Sequence, residues 1–207
     1  MPAVAFDCLE WGTIRMPGSN SAVRLAGLPR TADGAFRAFV QFPAGWARPE
    51  PGHYRVAEEF LVLEGELAMN GTTWGAAGYA WVPANRLRAG SRSDAGCLAF
   101  VWFSSAPTWT PGEPVDAAPP DDVAFAHWRD APERALPRSG SARRLRGGPE
   151  HSSWITERRH AALLAADAYS CETLGLRSRT WRFEVAGERC EDSREVAFLR
   201  VCSQPLS

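Results

Sequence analysis

Between Phe36 and Phe103 short apolar runs alternate with turn residues, the pattern of an all-β sandwich or barrel. Phe36, Ala38, Val40 and Phe42 recur with period two, and so do Leu98, Phe100 and Trp102. Each set predicts a strand with one face turned inward. From Phe60 to Leu63 every position is apolar, which predicts a central strand covered on both sides. Asn70-Gly71, set between Ala68-Met69 and Thr72-Thr73-Trp74, predicts a tight hairpin. Gly78 and the group Pro83-Ala84-Asn85 supply further turns.

The pattern changes after the last of these strands. Residues 104–120 carry five prolines and no periodic apolar positions, and read as a linker or an extended arm. Asp121 or Asp122 then offers a cap for a short helix through Trp128. Asp130-Ala131-Pro132-Glu133 has the cap, early proline and third-position Glu of a second helix start. A repeat also emerges. Ser21-Ala22-Val23-Arg24-Leu25-Ala26-Gly27-Leu28-Pro29 matches Ser141-Ala142-Arg143-Arg144-Leu145-Arg146-Gly147-Gly148-Pro149 at six of nine positions. Val196 to Val201 resembles Leu98 to Phe103, and Thr180 to Val185 is strand-like. The expected organisation is a barrel over 1–105, a proline-rich linker over 106–121 and a shortened, degenerate second β unit over 122–207. Within the latter, 156–174 stays open between strand and helix: Ala-Leu-rich composition with Gly175 as a stop favours helix.

Composition narrows the partners. With 45% apolar residues the chain can bury a sizeable core, and nine tryptophans with ten phenylalanines suit pleated, half-buried surfaces. A formal net charge of -1 argues against nucleic acid or an anionic membrane as partner. Arg143-Arg144-Leu145-Arg146 and Arg158-Arg159 are offset by nearby acids and read as solvated faces. No stretch approaches the run of about 20 apolar residues that spans a bilayer. Cys8, Cys97, Cys171, Cys190 and Cys202 form no C-x-x-C pair, and Met1 to Asp7 lacks a signal-peptide pattern. Reduced thiols and a cytoplasmic location are expected.

Two segments carry the candidate chemistry. The first is Pro51-Gly52-His53-Tyr54-Arg55-Val56-Ala57-Glu58 through Gly65, and the second is Gly78-Tyr79-Ala80-Trp81-Val82-Pro83-Ala84-Asn85-Arg86-Leu87-Arg88. They resemble the two motifs of the cupin superfamily, and residues 6 to 105 are most similar to the cupin domain of ChrR-type anti-sigma factors and to small bacterial one- or two-cupin proteins. The resemblance implies an all-β jelly-roll (double-stranded β-helix) barrel. It also implies where a metal would sit. Glu58 and Gly65 match the first motif, but only His53 stands on its histidine side, with Pro51 at the partner position. On the shorter spacing those positions become Gly52 and Tyr54. In the second motif Pro83 matches, Asn85 stands for the turn glycine, and Arg88 occupies the place of the last histidine ligand. A guanidinium stays protonated and has no lone pair for a metal.

His53 and Glu58 are thus the only matched donors, with Tyr54 a poor third, where three protein ligands are the practical minimum for a catalytic site. No resident metal is expected; if one binds, it is a single divalent transition metal held through His53 and Glu58. Two roles stay open for Arg88: an internal ion pair with Glu58 in place of the cation, or a contact to the carboxylate or phosphate of a small ligand. Tyr79, Trp81, Phe60 and Trp102 would line an apolar pocket in the barrel mouth or serve as core packing. The expected ligand-binding set is Arg88, Glu58, His53, Tyr54, Tyr79, Trp81 and Phe60, with no catalytic residue assigned. The expected function is binding of a small molecule, anionic ones included, by a cytoplasmic cupin-fold protein whose metal motifs are degraded. The alternative is a metal-dependent enzyme of dioxygenase or isomerase type using His53 and Glu58. The resemblance further implies a homodimer paired through sheet edges, and kinship alone suggests an anti-sigma-like interaction module.

Overall fold

The computed structural model describes residues 3–31, 33–117, 121–136, 140–148, 151–166, 168–185 and 194–202, the side chains of 162 and 185 excepted. Pro149, Cys190 and residues 118–120 of the proline-rich stretch lie outside them. The described residues form two compact units, Glu10–His127 and a second that joins the N-terminal nine residues to Trp128–Ser207.

In the first unit the strands are β1 (Gly12–Ile14), β2 (Val23–Gly27), β3 (Phe36–Phe42), β4 (Trp46–Arg48), β5 (Gly52–Tyr54), β6 (Glu58–Gly65) and β7 (Leu67–Met69). They continue as β8 (Thr72–Trp74), β9 (Tyr79–Val82), β10 (Ser91–Ser93), β11 (Cys97–Phe103), β12 (Trp109–Pro111) and β13 (Val123–Phe125). A seven-stranded sheet runs β1-β2-β3-β11-β6-β9-β13, and a four-stranded sheet runs β4-β10-β7-β8. All the pairings are antiparallel. The core lies between the two sheets: Ala38, Val40 and Phe42 of β3, Phe60 and Val62 of β6 and Ala99 and Val101 of β11 meet Trp46, Met69 and Trp74. Asn70 and Gly71 both take positive φ and close the β7–β8 hairpin, as the Asn-Gly pair predicts.

Strand parity corrects one expectation. On β11 the residues facing the core are Cys97, Ala99, Val101 and Phe103, while Leu98, Phe100 and Trp102 belong to the other face. All seven residues of β11 are buried, so apolarity alone does not distinguish the two faces. The proline-rich stretch also holds more structure than a linker. Trp109–Pro111 pairs with β5, and Val123–Phe125 extends the large sheet beside β9, so the first unit runs on to His127. No helix forms at the Asp121/Asp122 cap; a 3-10 turn at Trp128–Asp130 follows β13 instead.

The second unit contains β14 (Glu133–Leu136), β15 (Gly140–Gly147), β16 (His151–Glu157), β17 (Ser170–Gly175), β18 (Trp181–Val185) and β19 (Val196–Cys202). The predicted helix start at Asp130 is therefore strand β14. Val4 bridges to Trp181 through paired backbone hydrogen bonds, both 2.9 Å, which ties the N-terminus to this sheet. Segment 156–174 is both of the alternatives in sequence: the end of β16, a 3-10 turn, one helical turn at Ala161–Leu164, then β17. The sheet order β14-β15-β16-β19-β17-β18 repeats the order β1-β2-β3-β11-β6-β9 of the first unit. The nine-residue match falls on β2 and β15, which hold the same place in the two orders. Arg158 is buried, bonded to the Thr180 carbonyl and 3.8 Å from Glu195, and so is not part of a solvated face.

Candidate functional site

The first unit encloses a cavity of about 550 Å³ between its sheets. Its wall is mainly apolar, with Val40, Phe42, Phe60, Met69, Val101 and Phe103 among the contributors. Set into that wall are Arg48, Tyr54, Glu58 and Arg88, and Arg15 and Arg30 also border the cavity as exposed residues.

Alternation along short strands decides which residues reach this space. On β5 Tyr54 is part of the barrel core, so its neighbour His53 faces the other way. His53 is buried, pairs Nδ1 with the Gly112 carbonyl at 3.2 Å, and does not line the cavity. On β9 Ala80 and Val82 face the core, which sends Tyr79 and Trp81 to the opposite face of the sheet. There the Tyr79 hydroxyl donates to Glu59 Oε1 at 2.6 Å and Trp81 packs against Trp102. The expected pocket set is thereby corrected: Arg88, Glu58, Tyr54 and Phe60 border the cavity, whereas His53, Tyr79, Trp81 and Trp102 do not.

Arg88 is held from several sides. Its backbone bridges Gly52 of β5 through two hydrogen bonds of 2.8 and 3.1 Å, which brings Arg88 beside Tyr54. Asn85, in the turn before it, takes φ 58, the left-handed conformation expected of a glycine substitute. Arg88 Nε donates to Glu58 Oε2 at 3.0 Å, with the two side chains 2% and 14% exposed. Nη1 donates to the Arg86 carbonyl, and the guanidinium lies 4.9 Å from the Tyr54 ring centre.

Arg48 was not foreseen from the sequence. It shares one face of β4 with Trp46, and the only available signal was that i, i+2 relation on a three-residue strand. Its guanidinium carbon lies 3.9 Å from the Trp109 ring centre, and Nη1 donates to Tyr54 Oη at 3.2 Å. Gly52 allows this arrangement, because a Cβ there would stand 2.3 Å from the Trp109 ring. Arg48 is 4% exposed, and no carboxylate pairs with it among the described residues. Nε and Nη2 of Arg48, Nη2 of Arg88 and Nε1 of Trp46 are all buried without an acceptor. Burial raises the Tyr54 phenol above its ordinary range, with Glu58 adding to the shift and Arg48 and Arg88 opposing it. Tyr54 is therefore a neutral hydroxyl at physiological pH.

A resident transition metal does not fit this donor set. Glu58 is engaged by a guanidinium, His53 is turned away, and the third position is the cation Arg88. Among the described residues no three His, Cys, Asp or Glu side chains come together as a metal site.

The fold of two facing sheets, the small one made from β4, β7, β8 and β10, has counterparts in solved proteins. A proposed dioxygenase from Nostoc punctiforme superposes with a TM-score of 0.76 over 99% of this chain and 84% of its own, at 12% identity. The protein Ylba from E. coli gives 0.61 over 99% and 92%, at 11% identity. Oxalate decarboxylase OxdC from Bacillus subtilis, as a deletion mutant, gives 0.52 over 97% and 76%, at 10% identity. The chain has the cupin fold. No family model matches the sequence, and no curated protein matches it. At these identities the cupin likeness fixes the architecture and leaves the chemistry to the residues in the cavity. No helix among the described residues is long and apolar enough to cross a membrane.

Proposed function

We propose that the first barrel binds a small anionic molecule in its cavity and does so without a resident metal. The observation that carries this reading is the charge balance of the buried wall among the described residues: two guanidiniums, Arg48 and Arg88, against the single carboxylate of Glu58. A buried cation without a partner is costly, by several kcal/mol. An anionic occupant relieves that cost and supplies acceptors for the unpaired nitrogens. The exposed Arg15 and Arg30 beside the cavity add to the attraction for an anion in a chain whose overall charge is close to neutral. Arg88, Glu58, Tyr54 and Phe60 remain in the proposed binding set, and Arg48 and Trp46 join it.

Binding rather than turnover is the role this wall supports. Among the described residues it offers hydrogen-bond donors and a neutral phenol, and its carboxylate, Glu58, is engaged by Arg88. The test has two arms on the full chain. Elemental analysis of protein purified without added metal is expected to find metal far below one equivalent. A thermal-shift screen of small anions against their neutral amides is expected to stabilise the protein with the anions alone. One equivalent of tightly bound metal that is lost in Glu58→Gln would favour the metal-enzyme alternative and overturn this reading, as would equal stabilisation by the neutral compounds.

A further inference from the structure

We infer that the occupant is a hydrophobic monocarboxylic acid, its carboxylate gripped by the free edge of Arg48 and its body in the apolar part of the cavity. This rests on the anion-binding reading above and narrows it to a chemical class. The two guanidiniums differ in which nitrogens lack an acceptor. Arg48 spends Nη1 on Tyr54, and the two nitrogens left without an acceptor are Nε and Nη2. These are adjacent on one edge of the guanidinium, and together form a planar two-donor fork. Two coplanar oxygens at carboxylate spacing match such a fork with parallel hydrogen bonds. Arg88 offers less, because Nε is taken by Glu58 and Nη1 by a backbone carbonyl, leaving Nη2 alone.

Neighbouring groups favour the same assignment. Trp109 stacks on one face of the Arg48 guanidinium, which restricts it to edge-on contacts. Tyr54 accepts from Arg48 through its oxygen, so its own hydroxyl hydrogen remains for a carboxylate oxygen. Trp46 Nε1 is a further donor without an acceptor on the same strand. One fork with single supporting donors suits one negative charge. A phosphate ester carries more charge and more acceptors than this set satisfies. Most of the remaining wall is apolar, and the volume lies within the range of about 300–1,000 Å³ common to small-ligand pockets. A hydrocarbon or aromatic body fills it favourably, and a second charged group in contact with Val40, Phe60 and Val101 would be desolvated without a partner.

Isothermal titration calorimetry of the full-length protein tests this with probes of matched shape. Butyrate, pentanoate and hexanoate are expected to gain about fourfold in affinity per added methylene while the body still enters the cavity. 3-Phenylpropionate is expected to bind at least tenfold more tightly than 3-phenylpropionamide and than 2-phenylethyl phosphate. Arg48→Lys keeps the charge but loses the fork, and is expected to weaken 3-phenylpropionate by at least tenfold. Tighter binding of the phosphate than of the carboxylate would leave the anion reading standing and overturn this one. Equal binding of the amide would overturn both. A flat chain-length series, or a carboxylate affinity unchanged in Arg48→Lys, would refute the assignment of body or head. The wild-type series decides the ligand class even if the variant fails to fold.

Discussion

Replacing one member of the Arg88–Glu58 pair at a time gives an asymmetric result that follows from the chemistry of the two groups. The Nε–Oε2 distance is 3.0 Å, with Arg88 2% and Glu58 14% exposed. At an effective dielectric of about 20, charges about 4 Å apart attract by about 4 kcal/mol. Glu58→Gln removes this attraction and leaves a guanidinium that cannot shed its proton. The expected loss of stability at pH 7 is about 3–5 kcal/mol, the range for a buried pair broken from one side. Arg88→Met leaves a carboxylate that keeps some access to water. Its cost is expected to be about 1–3 kcal/mol. The double variant is expected to be more stable than the sum of the single losses implies, with a coupling of about 2 kcal/mol or more. Urea unfolding followed by tryptophan fluorescence, with the m-value held as a check on two-state behaviour, measures all four proteins. Equal losses from the two single variants at pH 7, or a coupling below about 0.5 kcal/mol, would refute the view that this ion pair occupies the place of a cation.

Two further outcomes concern the frame of the same barrel. Asp33 is paired with Arg37; although burial works against its charge, hydrogen bonds from Arg37 and Thr31 and the Arg37 charge hold its carboxyl down to about 2. Its stabilising contribution is full above the ordinary carboxylate range and is lost as pH falls through about 2; with solvent screening allowed for, it amounts to roughly 1–2 kcal/mol. Wild type is expected to lose that much more stability between pH 4 and pH 2 than Asp33→Asn, and parallel acid-unfolding curves would count against it. Gly65 has φ +69, and a Cβ there would stand 1.9 Å from the Gly96 carbonyl oxygen. Gly65→Ala is expected to cost at least about 2 kcal/mol. Scanning calorimetry would then show a melting temperature lower by about 4–8 °C, and an unchanged value would argue against the close approach of these two turns.

Some of the site was readable residue by residue. The resemblance to the cupin motifs points Glu58 and Arg88 into one barrel interior, and the two side chains do meet. Tyr54 and Phe60 entered the expected set beside them, and both border the cavity. His53, Tyr79 and Trp81 entered it too, yet they face away. Tyr79-Ala80-Trp81-Val82 is apolar throughout and fully buried, so neither parity is favoured until the register with β6 and β13 is known.

The chain's own sequence determined the alternation and turns that make β strands, the repeat that recurs on β2 and β15, and an arginine, Arg88, where the motif resemblance expects a histidine. Those are local properties, set by backbone preference and by spacing along the chain. Tertiary structure alone decided which face of each wholly apolar strand turns inward, and that the proline-rich stretch carries Trp109 onto Arg48. It also decided that Arg48 is a cation with no counter-charge among the described residues. The physical reason is that a missing partner belongs to no single segment: it depends on every strand around the cavity, and exists only once all of them have closed around it.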